Sequence, residues 1–415
     1  MILKTNILSL NLQNEFVFKK EVFLLIEAGK IVKIIDNEDD STYRSYLKMD
    51  YIDHTNQIAL PGFIDTHTHI AQHDIMGKYK PDLLDWLNCY TFPEESKFNH
   101  SDYAKSICSR FYLNALSHGT TCVTAYMTIH KEACNIAFET AHKMGVRAFI
   151  GKVMMDCNCP DFLEENTEQS LEESIELYHK WHQNTPLLSY IFSPRFAPVC
   201  SLELMQKTGR FIQDHEAYLQ THLSENSNEI NWIKSLYPQF KSYTDIYYQT
   251  GLMGKKSIFG HSIHLTADEI ALFKKTESKI AHCPDSNFYL RSGEFDLFGI
   301  DQEQIDFALA SDIGAGTSLS MPYHAKIAIY RQTKLSLDPL KAFYLMTLGG
   351  AKVLNMQDKI GSIEAGKDAD MVFYKNMIND DKPEEIISKI IFTDQSSNIE
   401  KVMIHGSIVY QQGVM

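Results

Sequence analysis

Residues 61–69 read Pro-Gly-Phe-Ile-Asp-Thr-His-Thr-His. The short apolar stretch around the Pro-Gly pair predicts a buried strand that is entered through a turn. Alternate residues of a strand point to the same side, so His67 and His69 would direct both imidazoles towards one point. Neutral imidazole is a common zinc ligand, and the pair therefore indicates a metal site. Two unrelated loop histidines are the alternative that this stretch alone leaves open.

Strand-like apolar stretches alternate with helical segments through the middle of the chain. The predicted strands cover residues 63–69, 121–127, 147–154, 188–196, 218–223, 257–261, 279–282 and 307–312. Eight strands separated by helices predict an α/β fold, a (β/α)8 TIM barrel. The catalytic residues of such barrels lie at the C-terminal ends of the strands. The two ends of the chain, residues 1–58 and the tail from about 360, read instead as short strands, which are predicted at 16–18, 22–26, 31–35, 371–374 and 402–406.

Composition limits the class of protein. A chain of 415 residues is long enough for a large barrel and an accessory domain. The formal net charge of −14 argues against a nucleic-acid partner. The eight scattered cysteines contain no C-x-x-C pair, and no apolar stretch has the length of a membrane span or the form of a secretion signal. We expect a cytoplasmic protein with no membrane partner.

Charged and metal-binding side chains mark the predicted strand ends. Histidine or aspartate ends five of the eight strands, although the chain has only 17 histidines in 415 residues. These residues are His69, His222, His261, His282 and Asp312. Arg195 and Phe196 end the fourth strand, and Glu225 follows His222 by three residues. The pattern predicts one polar site at the mouth of the barrel.

These motifs resemble the amidohydrolase superfamily and, within it, the guanine deaminase family. The superfamily resemblance rests on residues 61–69, on His222, His261 and Asp312, and on the closing Gly-Ser-Ile-Glu-Ala-Gly-Lys-Asp-Ala-Asp at 361–370. The narrower resemblance rests on the strings at 83–87, 90–94, 193–196, 221–226 and 281–287. The chain departs from the pattern at 309–311, Leu-Ala-Ser, and at 313–316, Ile-Gly-Ala-Gly. These small-for-small changes concern the pocket wall and not the metal ligands.

The resemblance implies a hydrolase that converts guanine and water to xanthine and ammonia with one Zn²⁺ per chain. The implied metal ligands are His67, His69, His222 and Asp312, with one position left for water. Glu225 would act as the general acid and base, and His261 would hydrogen-bond the water or the intermediate. Asp312 would also shuttle a proton.

Substrate contacts are expected from the walls of the site. Arg195 offers a planar fork of donors for the oxo group and N7 edge of a purine, and Gln72 can both donate and accept. Phe196 and Trp86 would supply apolar faces, although Trp86 also fits the core of an amphipathic helix. Glu225 and His261 would touch the substrate as well. The segment 70–100 would cover the mouth of the barrel.

Other consequences of the resemblance stay open at this point. Residues 1–58 and 360–415 are expected to join into one β-sandwich domain beside a barrel of residues 59–359, and a homodimer is implied. A binuclear site bridged by Lys152 is one alternative, although a buried salt bridge is the favoured role of that lysine. Further alternatives are a deaminase of a pterin, cytosine, an adenosine analogue or a triazine, and a non-catalytic scaffold.

Overall fold

The computed structural model describes residues 1–36, 40–332, 336–375, 382–393 and 396–414. Its strands in chain order are β1 (Ile2–Leu10), β2 (Phe16–Glu27), β3 (Lys30–Ile35), β4 (Ile52–Pro61), β5 (Phe63–His69), β6 (Thr120–Tyr126), β7 (Arg147–Gly151), β8 (Val153–Met154), β9 (Leu188–Pro194), β10 (Tyr218–Leu223), β11 (Ser257–His261), β12 (Lys279–His282), β13 (Phe307–Leu309), β14 (Met371–Lys375), β15 (Ile399–Ile404) and β16 (Ser407–Gln411).

Most helices follow the barrel strands. The α-helices of the described residues are α1 (Asp40–Tyr46), α2 (Leu83–Trp86), α3 (Phe92–Glu95), α4 (Ser101–Ser117), α5 (Lys131–Met144), α6 (Thr167–Trp181), α7 (Leu202–His215), α8 (Ser227–Leu236), α9 (Tyr243–Gln249), α10 (Ala267–Thr276), α11 (Pro284–Tyr289), α12 (Leu297–Gln302), α13 (Met321–Arg331), α14 (Pro339–Leu345), α15 (Leu348–Val353) and α16 (Pro383–Thr393). A 3₁₀ turn, Ile70–Ile75, follows β5 directly. None of the described helices is long and apolar enough to cross a membrane.

Eight parallel strands form the predicted (β/α)8 barrel, which is confirmed. They follow one another in chain order from β5 to β13, with β7 and β8 as two pieces of one strand interrupted at Lys152. The barrel closes between its first and last strands. The amide of Asp312 donates to the carbonyl of His67 at 2.9 Å, and the Thr66 hydroxyl donates to the carbonyl of Leu309 at 3.0 Å. Closure therefore places the first and last predicted ligands side by side.

Four barrel strands have the predicted bounds, whereas the fourth and eighth end early. β9 ends at Pro194 and β13 at Leu309, so Arg195 and Asp312 lie in the loops that follow rather than on the strands. The last strand ends because the buried Asp65 carboxylate accepts the Ser311 amide at 2.9 Å, and Asp312 then turns into a left-handed conformation with φ 49°. Arg195 and Asp312 still lie at the barrel mouth, because each follows the C-terminal end of a barrel strand.

The second domain is a mixed sheet built from both ends of the chain, as expected. Its strand order is β16-β15-β14-β4-β1-β2-β3, with β1 and β4 parallel. β1 was not among the predicted strands, and β4 pairs with β14 as far as Pro61. The division at residues 58 and 360 stays a prediction.

The closing motif at 361–370 fastens this sheet to the barrel. Arg147 at the start of β7 is buried and donates to Asp370 and Asp368, each at 2.8 Å. A buried guanidinium needs such partners, because an unpaired buried charge is costly. Part of the superfamily motif therefore has a structural role.

Candidate active site

Five polar side chains converge inside the barrel mouth. His67 and His69 extend from β5, His222 and His261 from β10 and β11, and Asp312 from the loop after β13. The Asp312 Oδ1 atom lies 3.4 Å from His67 Nε2 and 3.3 Å from His69 Nε2. His222 Nε2 lies 3.2 Å from His69 Nε2. A group of four with donor atoms within 4.8 Å of one another contains His67, His222, His261 and Asp312.

This donor set fits a divalent metal ion. Bonds of about 2.0–2.1 Å at tetrahedral angles place neighbouring ligand atoms about 3.3–3.4 Å apart, which matches the spacings around Asp312. Both ring nitrogens of His67 are buried and have no hydrogen-bond partner among the described residues. An orphaned buried nitrogen costs about 1–3 kcal/mol, and a metal bond at Nε2 would remove that cost.

The protonation states of these side chains suit a bound cation. Burial lowers the pKa of His67 to about 4, and burial also lowers the pKa values of His69 and His222. These imidazoles are therefore neutral at pH 7, the form that binds metals. Burial opposes ionisation of Asp312, but the neighbouring imidazoles of His67, His69 and His261 outweigh it and hold the pKa of Asp312 well below its usual range.

Hydrogen bonds to neighbouring groups orient two of these histidines. The backbone carbonyl of Arg195 accepts a hydrogen bond from His222 Nδ1 at 2.6 Å, which leaves Nε2 facing the centre. Asn287 Oδ1 accepts from His261 Nδ1 at 2.9 Å in the same way. His261 and Asp312 both have left-handed backbone conformations, with φ 64° and 49°. Such strain in non-glycine residues costs about 1–2 kcal/mol each and is typical of functional sites.

Glu225 lies beside this cluster in a buried position. Its Oε2 is 3.4 Å from His261 Nε2, and its Oε1 accepts a hydrogen bond from Ser292 at 3.2 Å. Burial raises the pKa of Glu225 to about 7, although the neighbouring His261 partly opposes this. A carboxyl with a pKa near the working pH can both take and give a proton. Burial alone would lower the pKa of His261, but Glu225 and Asp312 outweigh it and raise that pKa.

The predicted substrate contacts line the same pocket. The space between its lining residues amounts to about 410 Å³, which includes open solvent at the mouth. Gln72, Trp86, Arg195 and Phe196 all form its wall with His69, His222, Glu225, His261 and Asp312. The Trp86 indole donates to the Lys78 carbonyl at 2.7 Å. Arg195 Nη1 donates a hydrogen bond to Glu95 Oε2 at 2.6 Å. The sequence did not predict this pairing.

Two residues left open by the sequence lie outside the pocket wall. Lys152 is fully buried and forms ion pairs with Glu165 and, at 3.7 Å, with Glu173. It therefore has the buried salt-bridge role that the sequence favoured. It is not part of the ligand cluster found among the described residues. His282 is buried and stacks on Phe295 with ring centroids 4.5 Å apart.

Sequence reasoning missed the residues that support the site. Glu229 caps α8 and accepts the amide of Glu225 at 2.9 Å, and Asp65 joins the His67 strand to the Asp312 loop. Glu229 fits the pattern of a capping box after Asn226, which is a detectable signal. Asp65 was visible within the 61–69 motif but had no assigned role. Nothing in the sequence distinguishes Glu95 from its neighbour Glu94.

The comparisons with known proteins agree with this geometry. The profile of the amidohydrolase family matches residues 58–409. The chain belongs to the amidohydrolase family.

Within that family, the chain is similar to proteins named guanine deaminase. It is 36% identical to the guanine deaminase of Escherichia coli over 408 residues, which cover 95% of this chain and 92% of that protein. The crystal structure of a guanine deaminase from C. acetobutylicum with guanine in its active site superposes with a TM-score of 0.93, at 33% identity and 99% coverage of both chains. An adenosine deaminase from Xanthomonas campestris with bound zinc shares the fold at a TM-score of 0.87 and 21% identity, covering 98% of this chain and 92% of that one.

Gly260 tests whether the histidine geometry is needed for metal binding. A Cβ at this position would lie 2.7 Å from His67 Cε1, whereas one at Gly254 would meet only Ser257 Oγ at 3.9 Å. We expect Gly260→Ala to weaken binding of a divalent metal by about 10-fold or more, because the displaced imidazole loses its orientation. Competition with a chromophoric chelator measures this, with Gly254→Ala as the matched control. Equal affinity in the two variants would contradict the role of His67.

Proposed function

We propose that this protein is a zinc-dependent guanine deaminase, which converts guanine and water to xanthine and ammonia. The observation that carries the proposal is the convergence of His67, His69, His222 and Asp312 at one buried site. Glu225, Arg195 and Gln72 line the pocket at that site. The similarity to guanine deaminases along nearly the whole chain supports guanine as the substrate.

His67, His69, His222 and Asp312 would hold one zinc ion per chain. Imidazoles with a carboxylate are typical zinc ligands. When bound, the ion would supply a water with a pKa of about 7. His261 belongs to the compact cluster, but its Nε2 also faces Glu225 at 3.4 Å and its Nδ1 is held by Asn287. We therefore assign it a hydrogen bond to the reacting atoms rather than a metal bond.

Glu225 would move the protons of the reaction. It takes a proton from the attacking water as the water oxygen bonds to C2, and it delivers that proton to N3 of the ring. It then helps to protonate the amino group, so that the bond from C2 to nitrogen breaks and ammonia leaves. His261 donates a hydrogen bond that stabilises the oxygen on the tetrahedral C2 atom. Asp312 assists the transfer of the second proton, which goes to the leaving amino group.

The pocket wall would position the purine. Arg195 donates to the oxo group, Gln72 contacts the adjacent ring edge, and Trp86 and Phe196 enclose the flat faces. The cytoplasmic location and the homodimer expected from the sequence stay part of the proposal. Eight free cysteines are consistent with a reducing compartment, and sedimentation would test the dimer.

Guanine turnover before and after metal removal tests the proposed activity. The purified protein should release ammonia from guanine, lose that activity on chelation and regain it with zinc, because the attacking water needs the ion. A panel with cytosine, a pterin, an adenosine analogue and a triazine serves as the comparison. Turnover of one of these in preference to guanine would replace the proposed substrate.

Substitution of Glu225 separates chemistry from metal binding. Glu225→Gln keeps the side-chain volume but removes the proton acceptor, so kcat should fall by about 100-fold or more while zinc content stays unchanged. Steady-state kinetics and elemental analysis measure the two quantities on one sample. A variant with the turnover of the parent protein would exclude Glu225 from proton transfer.

A further inference from the structure

Glu95 lies directly behind the two polar residues that face the substrate edge. Its Oε1 accepts a hydrogen bond from Gln72 Nε2 at 3.0 Å, and its Oε2 accepts one from Arg195 Nη1 at 2.6 Å. The carboxylate is 1% exposed and does not form part of the pocket wall, whereas Gln72 and Arg195 both do. Each carboxylate oxygen is therefore committed to one of the two pocket residues.

This arrangement decides which way the Gln72 amide points. A carboxylate is only an acceptor, so the Gln72 group that faces Glu95 must be the NH₂ donor. Gln72 Oε1 is then the atom left to face the substrate. Beside it, Arg195 can only donate, because a guanidinium has no acceptor. The wall thus presents one acceptor next to one set of donors.

From these contacts we infer that Glu95 is a positioning residue that sets the specificity of the site for a 6-oxo purine edge. The inference rests on the proposed function and deepens it. The acceptor–donor pair complements a ring N1–H next to a C6 oxygen, as in guanine and hypoxanthine. It opposes the reversed edge of adenine, in which N1 accepts and the 6-amino group donates. Mismatched buried polar groups are left unpaired, which is how such sites reject analogues.

Exchange of the carboxylate for an amide has a specific consequence. In Glu95→Gln, the oxygen of the new side chain is needed by Arg195, which can only donate. The NH₂ group then faces Gln72, whose amide must turn over so that its oxygen meets this donor. Gln72 would then present its own NH₂ to the substrate. The acceptor for N1–H is lost and a donor for the adenine N1 is gained.

Glu94 provides a matched control on the same short helix. It is also buried, but its carboxylate pairs with Lys97 at 2.7 Å and with the Tyr103 hydroxyl, outside the pocket wall. Glu94→Gln therefore removes a buried negative charge next to Glu95 without touching Gln72 or Arg195.

The experiment measures inhibition of guanine turnover by hypoxanthine and by adenine, both of which lack the 2-amino group. In the zinc-loaded parent protein and in the Glu94→Gln variant, hypoxanthine should bind more tightly than adenine. In Glu95→Gln, the ratio of the adenine to the hypoxanthine inhibition constant should fall by about 10-fold or more, and KM for guanine should rise more than kcat falls. A merely structural role for Glu95 would not shift the ratio of the inhibition constants of two ligands of the same shape.

An unchanged ratio in folded, zinc-loaded Glu95→Gln would overturn the inference. If that variant is insoluble, Glu95→Asp gives the same test, because it keeps the charge for Arg195 but withdraws the acceptor from Gln72. Again the ratio should fall, and a parent-like ratio would count against Glu95. Failure of the parent protein to deaminate guanine would instead reject the proposed function, with binding of the two purines still measurable.

Discussion

The structure depends on the close approach of three neutral imidazoles and one carboxylate in a site that excludes solvent. Their donor atoms lie 3.2–3.4 Å apart around Asp312 and His69. Without a cation, such a cluster would hold a buried negative charge and unpaired ring nitrogens, both of which are costly. One divalent ion would satisfy all four groups together. His67 also packs closely against Gly260, and Asp312 has a left-handed backbone conformation.

The barrel supplies this approach from distant parts of the sequence. Closure by the hydrogen bond from Asp312 to the His67 carbonyl brings residues 245 positions apart into contact. Asp65 reinforces the junction through Ser311, and Arg147 holds the terminal sheet to the other end of the barrel. The three histidines proposed as metal ligands therefore lie on strands, whereas Asp312 lies in a loop. The residues proposed to contact the substrate lie on a 3₁₀ turn (Gln72), a short helix (Trp86) and a loop (Arg195).

The sequence predicted the barrel and the pairing of His67 with His69 because both follow from simple periodicities, whereas His222 and Asp312 became candidate ligands through their places at strand ends and the resemblance to the amidohydrolase superfamily. The two-residue period puts His67 and His69 on one side of β5, and the alternation of strands and helices gives the barrel. The end of β13 could not be predicted, because it depends on a contact between Ser311 and Asp65, 246 residues away. Glu95 was equally hidden. On a four-residue helix, no local pattern indicates that Glu94 meets Lys97 while Glu95 meets Arg195.

X-ray absorption at the zinc edge tests the central claim most directly. The protein loaded with one equivalent of zinc should show nitrogen and oxygen neighbours only, with imidazole scattering and bonds of about 2.0–2.1 Å. A second metal at about 3.5–4 Å would contradict this account by pointing to a binuclear site. A spectrum without imidazole scattering would contradict it as well, since three of the four ligands assigned here are histidines.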